Sequence, residues 1–351
     1  MAITRVWQAG AEFQDLAELT YSEATISSTK ARTGTYSFRV AQGFDGPYKD
    51  IDALVEGRYG FAINHNGPTH LTDTAAVVAI ANAGGPVYVV EHVYNTGALV
   101  LMKGPTHASG TPLGTVTSAT FNQTDTWLEC SVQWKIGASG YFVFRVNGEA
   151  IFSRSEDNTW LSSTGVSRVW NGRYDAWYSN NYWANYAYLD DMYIDNTAGE
   201  GSAGVPSGIY LELLRPNGAG AAADFTPNTG TVNYENVDES PPDGDTTYNQ
   251  SDAADEYDIY DLTSFVLPVG RTINAVIPVA YAKRLDAGGT IGLTPVVYHA
   301  SYGTAEGTAE LPNSGDYAYL KGDRFTTRPG GGAWGSADIA GLQAGYKSEG
   351  V

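Results

Sequence analysis

The chain has 351 residues, a length that exceeds what one hydrophobic core usually organises and that predicts two domains. Its formal net charge is −19, with 39 acidic against 20 basic residues, which excludes a nucleic-acid partner because phosphate binding needs clustered Lys and Arg. No apolar run approaches the ~20 residues of a membrane span, so we expect no membrane insertion. The single cysteine, Cys130, excludes an intramolecular disulfide framework.

The composition favours strands over helices. With 41 Gly, 24 Tyr and only 17% charged residues, the chain suits short strands joined by tight turns. The first five residues have neither the basic flank nor the apolar stretch of a signal peptide. We therefore expect synthesis and assembly in a cytoplasm.

The first half of the chain shows the period-two alternation of half-buried strands. Residues 35–40 alternate throughout, and so do residues 127–136, which places Cys130 on the apolar face and Glu129 and Lys135 on the polar one. Residues 141–146 end at Asn147 and Gly148, a pair that suits a type I′ hairpin turn. Further strands are predicted at residues 75–80, 87–94, 98–102 and 150–153.

Small and flexible residues between positions 195 and 208 have the composition of a linker. We therefore predict one domain at residues 1–200, a linker at 201–208 and a second domain at 209–351. The second domain carries ten acids between Glu235 and Asp261. We expect strands at residues 209–215, 273–283, 291–299 and 317–325, then a short helix with Ser336 as its N-cap and Asp338 in its first turn.

Three segments in order resemble the concanavalin A-like, laminin G-like jelly roll. They are TGTYSFR at residues 33–39, the strand pair at residues 127–148 that begins with Trp and ends in Asn-Gly, and YLDDMYID at residues 188–195. The second half resembles a β module that follows this jelly roll in structural proteins of tailed phages. Its matching segments are LRPNGAG at 214–220, NYENVDESPPDGDTTY at 233–248 and ADIAGLQAG at 337–345. The predicted fold class is all-β, with two consecutive antiparallel β-sandwich (jelly-roll) domains.

The resemblance implies a phage virion structural protein exposed on the surface of the particle and assembled in the host cytoplasm. Two placements stay open, a tail fibre or appendage component with a glycan-binding role in host adsorption, and a capsid decoration protein on the head. Other virion proteins, further copies of this chain in a homo-oligomer and a host cell-surface glycan are the expected partners.

The jelly-roll class includes glucanases, in which paired carboxylates on one strand cleave the glycosidic bond. The nearest match, Glu256, Asp258 and Asp261, departs from the glucanase pattern in its last carboxylate and lies in the second half. No Gly-x-Ser-x-Gly motif occurs. We predict no catalytic residue and no enzyme, and a glycoside hydrolase remains the alternative function.

Two clusters of aspartates in the sequence are candidate metal sites. The five histidines have no ligand spacing, so we predict no transition metal and no cofactor. Calcium is a second possibility at Asp190, Asp191 and Asp195 or around Asp243 and Asp245, although neither place has EF-hand spacing. Because Asp190 alternates with apolar residues, it is expected to accept hydrogen bonds from a loop at the edge of the sandwich.

Residues 168–188 concentrate aromatic side chains among Asn, Ser and Gly. Aromatic faces stack on sugar rings and neighbouring amides orient hydroxyl groups, so one interpretation is a glycan-binding loop. A protein interface and a cover for the sandwich core are the alternatives. The predicted ligand-binding residues are Trp170, Trp177, Tyr178, Tyr182 and Trp183.

Overall fold

The computed structural model divides into two compact units, Met1–Glu212 and Leu213–Val351. It describes residues 4–9, 11, 19–20, 22–41, 46–65, 74–82, 85–93, 96–104, 111–158, 165–172, 186–197, 211–267, 271–285 and 290–350. The predicted linker at residues 201–208 lies outside the described residues. In this part of the chain no helix is long and apolar enough to cross a membrane.

The first unit contains fourteen described strands that form two antiparallel sheets. They are β1 (Thr4–Ala9), β2 (Thr25–Ser27), β3 (Ser37–Ala41), β4 (Tyr48–Leu54), β5 (Glu56–His65), β6 (Thr74–Asn82), β7 (Gly85–Val93), β8 (Ala98–Lys103), β9 (Thr111–Thr117), β10 (Trp127–Lys135), β11 (Gly140–Val146), β12 (Glu149–Glu156), β13 (Val166–Trp170) and β14 (Tyr186–Asn196). Sheet I has the order β12-β11-β10-β5-β14-β3-β2, with β1 also paired to β14. Sheet II has the order β4-β13-β6-β7-β8-β9.

The core of the first unit lies between the inner faces of the two sheets. Trp134 and Phe142 come from neighbouring strands of sheet I, while Ile80, Tyr88 and Leu101 come from sheet II, and all five are almost wholly buried. This follows from the alternation along each strand, which sends every second side chain to the same face. Cys130 is buried in this core as predicted, and burial raises the pKa of its thiol.

The hairpin between β11 and β12 turns at the predicted pair. Asn147 has φ 49° and Gly148 has φ 84°, the two positive angles that a type I′ turn requires. The turn fixes the register in which Val146 opposes Glu149 on β12.

The second unit is also built from antiparallel strands. They are β15 (Pro216–Ala223), β16 (Thr226–Pro227), β17 (Asn249–Gln250), β18 (Tyr257–Leu262), β19 (Val279–Ala282), β20 (Ile291–His299), β21 (Gly303–Glu306), β22 (Ala318–Lys321) and β23 (Leu342–Gly350). Sheet III has the order β15-β18-β23-β20-β21, and β16-β17 and β19-β22 form two-stranded ribbons. Val297, Trp334, Ile339 and Leu342 form its small buried cluster.

The predicted all-β fold class is confirmed, and two local predictions are corrected. Residues 211–215, the described part of the strand predicted at 209–215, form no strand. The helix α1 (Ser336–Ile339) has Gly335 as its N-cap, and the Gly335 amide donates to the Asp338 carboxylate at 2.7 Å. Ser336 is therefore the first helical residue and not the N-cap. The side chain that caps the helix is that of Asp338.

Candidate functional site

Polar and charged side chains follow one another across four strands on the face of sheet I that points away from the core. They occupy the positions between those that fill the core, so alternation directs them outward. We call this set the polar face. It consists of Glu56 and Arg58 on β5, Gln133 and Lys135 on β10, Tyr141 and Arg145 on β11, and Tyr193 and Asp195 on β14.

Arg58 and Asp195 form an ion pair on the polar face. These residues oppose each other in the register of β5 and β14, and Arg58 Nη2 donates to Asp195 Oδ2 at 2.6 Å. The Arg58 guanidinium also lies 4.9 Å from the centre of the Tyr193 ring. Gly60 makes room for this ring, since a Cβ at that position would clash with it. Backbone pairing, an ion pair and a cation–π contact therefore hold the Arg58 side chain in position.

Tyr141 is at the centre of a second set of contacts. Its hydroxyl donates to Glu56 Oε1 at 2.8 Å and lies 3.3 Å from Gln133 Nε2. Lys135 Nζ lies 3.6 Å from the other Glu56 oxygen. Burial raises the pKa of Tyr141, and the neighbouring Glu56 carboxylate raises it further. The phenol therefore stays protonated near neutral pH and acts as a hydrogen-bond donor.

Burial divides the polar face into a floor and two solvent-reaching cations. Arg58, Gln133 and Asp195 are 3%, 1% and 1% exposed, whereas the Lys135 side chain is 42% exposed and Arg145 is half-buried. Burial lowers the pKa of Arg145, and the like charge of Arg58 lowers it further. Two guanidinium groups thus lie within electrostatic reach of each other on one sheet face.

This arrangement offers the groups that recognise polar ligands. Guanidinium and ammonium groups bind carboxylates, while a phenol and an amide exchange hydrogen bonds with hydroxyl groups. Charged groups buried on the outward face of a sheet are costly unless they are held in pairs, and such arrangements often mark functional sites. The polar face is therefore the candidate site that the geometry supports best.

Asp190 and Asp191 lie beyond one end of the polar face and hold a loop. Asp190 Oδ2 accepts hydrogen bonds from the backbone amides of Arg32 at 3.0 Å and Thr33 at 3.3 Å, which confirms the predicted bond to a loop. Asp191 accepts from Arg32 Nη1 and the Thr33 hydroxyl. Burial raises the pKa of both carboxyls. Protein donors therefore occupy these oxygens, and Asp195 points to Arg58 instead.

The second place considered for calcium is also tied to protein donors. Asp245 Oδ1 accepts from Lys283 Nζ at 2.6 Å and from the Tyr317 hydroxyl at 3.0 Å. Asp243 Oδ1 accepts from the Thr247 amide and hydroxyl. Among the described residues no group of three or more His, Cys, Asp or Glu side chains is arranged to hold a metal ion.

The predicted aromatic site is mostly outside the described residues. Trp177, Tyr178, Tyr182 and Trp183 lie there, so their role stays a prediction. Trp170 is described and 1% exposed, and its ring packs in a second apolar cluster formed largely by alternate residues of sheet II. The assignment of Trp170 as a ligand-binding residue is corrected, because its ring is enclosed among the apolar side chains of this cluster.

The carboxylates of the glucanase-like segment each have a partner inside the second unit. Asp258 is buried and accepts from Asn233 Nδ2 at 2.9 Å and Asn249 Nδ2 at 3.0 Å. Glu256 Oε2 accepts from the Ser251 hydroxyl at 2.6 Å, and Asp261 Oδ1 accepts from Gln343 Nε2 at 2.7 Å. These contacts hold strands and loops together.

The polar face was missed at the level of the sequence. The alternation at residues 127–136 correctly placed Gln133 and Lys135 opposite the core, but that pattern is equally typical of a solvated face. Its partner β5 is buried at all ten positions, so it shows no alternation that would reveal Glu56 and Arg58. Only the pairing of these strands brings the residues together.

No family model and no curated protein matches the chain. Solved structures resemble part of the chain at low identity. An endo-β-1,4-glucuronan lyase from the fungus Trichoderma reesei is 16% identical with a TM-score of 0.37, covering 55% of this chain and 96% of that one. The alginate lyase Aly36B is 13% identical with a TM-score of 0.38, covering 55% and 97%. The Caenorhabditis elegans galectin LEC-6 is 10% identical with a TM-score of 0.31, covering 44% and 94%.

The prediction that the chain is not an enzyme is contradicted by these comparisons, because the solved structures similar to it include two polysaccharide lyases. The comparisons also include this galectin and the binding domain of botulinum neurotoxin serotype G.

Proposed function

We propose that the first unit binds a saccharide on its polar face and that the chain is a structural protein exposed on the surface of a tailed-phage particle. In this proposal the first sandwich contacts a host cell-surface glycan, and the second unit attaches the chain to other virion proteins or to further copies of itself.

One observation carries the saccharide-binding part of the proposal. Tyr141 is hydrogen-bonded to Glu56 and Gln133 on an outward sheet face, where the three side chains form a buried floor, and the exposed Lys135 and half-buried Arg145 reach solvent beside it. A phenol, an amide and a carboxylate in contact can both donate to and accept from ring hydroxyl groups. A rigid sheet also holds these side chains in place before a ligand arrives, which lowers the entropic cost of binding.

The test is a glycan array followed by titration calorimetry with the saccharide that binds. Tyr141→Phe removes the hydroxyl without changing the ring, and we expect binding to weaken by about tenfold. Tyr88→Phe is the matched control, because the Tyr88 hydroxyl donates to Glu156 at 2.9 Å while its ring lies in the core. Absence of glycan binding by the folded protein, or equal weakening in both variants, would contradict the proposal.

Cleavage of the bound saccharide is the second candidate function. Glu56 links two other proton-exchanging groups, with the Tyr141 hydroxyl at 2.8 Å from one carboxylate oxygen and Lys135 Nζ at 3.6 Å from the other, as proton transfer to and from a substrate requires. Incubation with the bound polysaccharide, followed by product analysis, tests for chain shortening. Cleavage that survives in Tyr141→Phe would place the chemistry elsewhere.

The virion part of the proposal rests on the resemblance of the second half to a β module that follows such a jelly roll in structural proteins of tailed phages. Mass spectrometry of purified particles should detect the chain, and antibody labelling of intact particles distinguishes a tail fibre or appendage from a capsid decoration. Particles that lack the chain would contradict this part of the proposal without bearing on saccharide binding.

A further inference from the structure

The polar face carries its positive charge at two separated points. Lys135 opposes Tyr141 in the register of β10 and β11, and Arg145 lies four residues further along β11. At ~3.3 Å per residue this places the two cationic positions ~13 Å apart along the strand. Gln133, which opposes Val143, lies between these two levels of the sheet and donates to the Tyr141 hydroxyl beside Lys135.

We infer that the saccharide recognised on the polar face is an anionic polysaccharide that contains uronate residues, and that Arg145 and Lys135 bind carboxylates of different sugar units. This inference rests on the proposed function and adds the substrate class. An Arg guanidinium pairs with a planar carboxylate through two parallel hydrogen bonds. A neutral sugar has no carboxylate and does not form this pair.

The net negative charge of the chain means that an anionic polysaccharide would bind only at a specific site. Because the chain carries a net charge of −19, it repels polyanions at long range, and non-specific electrostatic attraction is excluded as a source of binding. An anionic chain must therefore bind through a local site.

The experiment uses the whole protein and oligosaccharides of polygalacturonate and of alginate, each compared with its carboxyl-reduced neutral form. Calorimetry should show binding of an acidic form and at least about tenfold weaker binding of its neutral counterpart. Arg145→Gln should reproduce that loss, and Arg145→Lys should restore part of it.

Arg154→Gln is the control, since the Arg154 guanidinium is partly exposed on the adjacent strand β12 and donates to the Leu113 carbonyl at 2.6 Å. Equal binding of acidic and neutral forms, or equal loss in the Arg154 and Arg145 variants, would overturn the inference and leave saccharide binding intact. Binding of neither form, with no hit on the glycan array, would overturn both proposals.

Discussion

Arg58 donates to Asp195 across 2.6 Å on the outward face of sheet I, and both side chains are almost completely buried. The two residues belong to β5 and β14, which are directly paired but distant in sequence. The ion pair therefore links the β5 and β14 parts of the polar face.

Asp195→Asn should destabilise the first unit strongly. The substitution leaves the Arg58 charge buried without its counter-ion, a change that costs about 3–5 kcal/mol in the free energy of unfolding. Denaturant unfolding followed by tryptophan fluorescence measures this loss. Asp125→Asn is the control, because Asp125 pairs with Lys30 at the surface and Asn also tolerates its positive φ of 62°. Equal stability of the two variants would show that the Arg58 pair contributes nothing.

Trp170→Ala should lower the free energy of unfolding by about 3–5 kcal/mol, the usual cost of emptying a large buried site. The Trp170 ring is 1% exposed and packs with Met102 and Val100. Thermal unfolding checks the loss of stability. A variant as stable as the wild type, with weaker saccharide binding, would contradict the structural role and restore Trp170 as a binding residue.

Individual strands of both units show what the sequence could predict and what it could not. The alternation at residues 127–136 predicted β10 and the burial of Cys130, because one face of that strand is apolar and the other polar. The strand β15, with the sequence PNGAGAAA, was missed since Gly and Ala have low strand propensity and only its pairing with β18 makes it a strand. The contact of Arg58 with Asp195 depends on strand pairing across 137 positions, which no local pattern encodes.

The first unit should lose stability in acid through His65. Burial and the neighbouring His92 lower the pKa of His65 to about 4 from its ordinary value of 6.5. At His65 the folded protein therefore binds a proton more weakly than the unfolded chain. The contribution of the neutral imidazole to the free energy of unfolding is complete above pH ~6.5 and is lost as the pH falls toward 4. The shift corresponds to about 3 kcal/mol.

His65→Gln isolates this contribution, because the Gln amide can replace the 3.0 Å hydrogen bond from the His65 Nε2 to the Phe121 carbonyl. The drop in unfolding free energy between pH 7 and pH 4 should be smaller in the variant than in the wild type. Carboxylates titrate in both proteins, so the difference reports the histidine. Identical drops would contradict the assignment.

Asp258→Ala should release the acidic segment of the second unit from sheet III. The buried Asp258 carboxylate accepts hydrogen bonds from Asn233, Asn249 and the Tyr260 hydroxyl, and burial raises its pKa to about 6. Removing it takes one acceptor from the buried Asn233 amide, from the half-buried Asn249 amide and from the Tyr260 hydroxyl, so residues 228–250 should exchange backbone hydrogens about tenfold faster or more. Hydrogen exchange with mass spectrometry measures this. Asp261→Ala removes an exposed carboxylate from the same strand and should leave that segment protected. Equal exchange in both variants would mean that the segment is held by contacts other than Asp258.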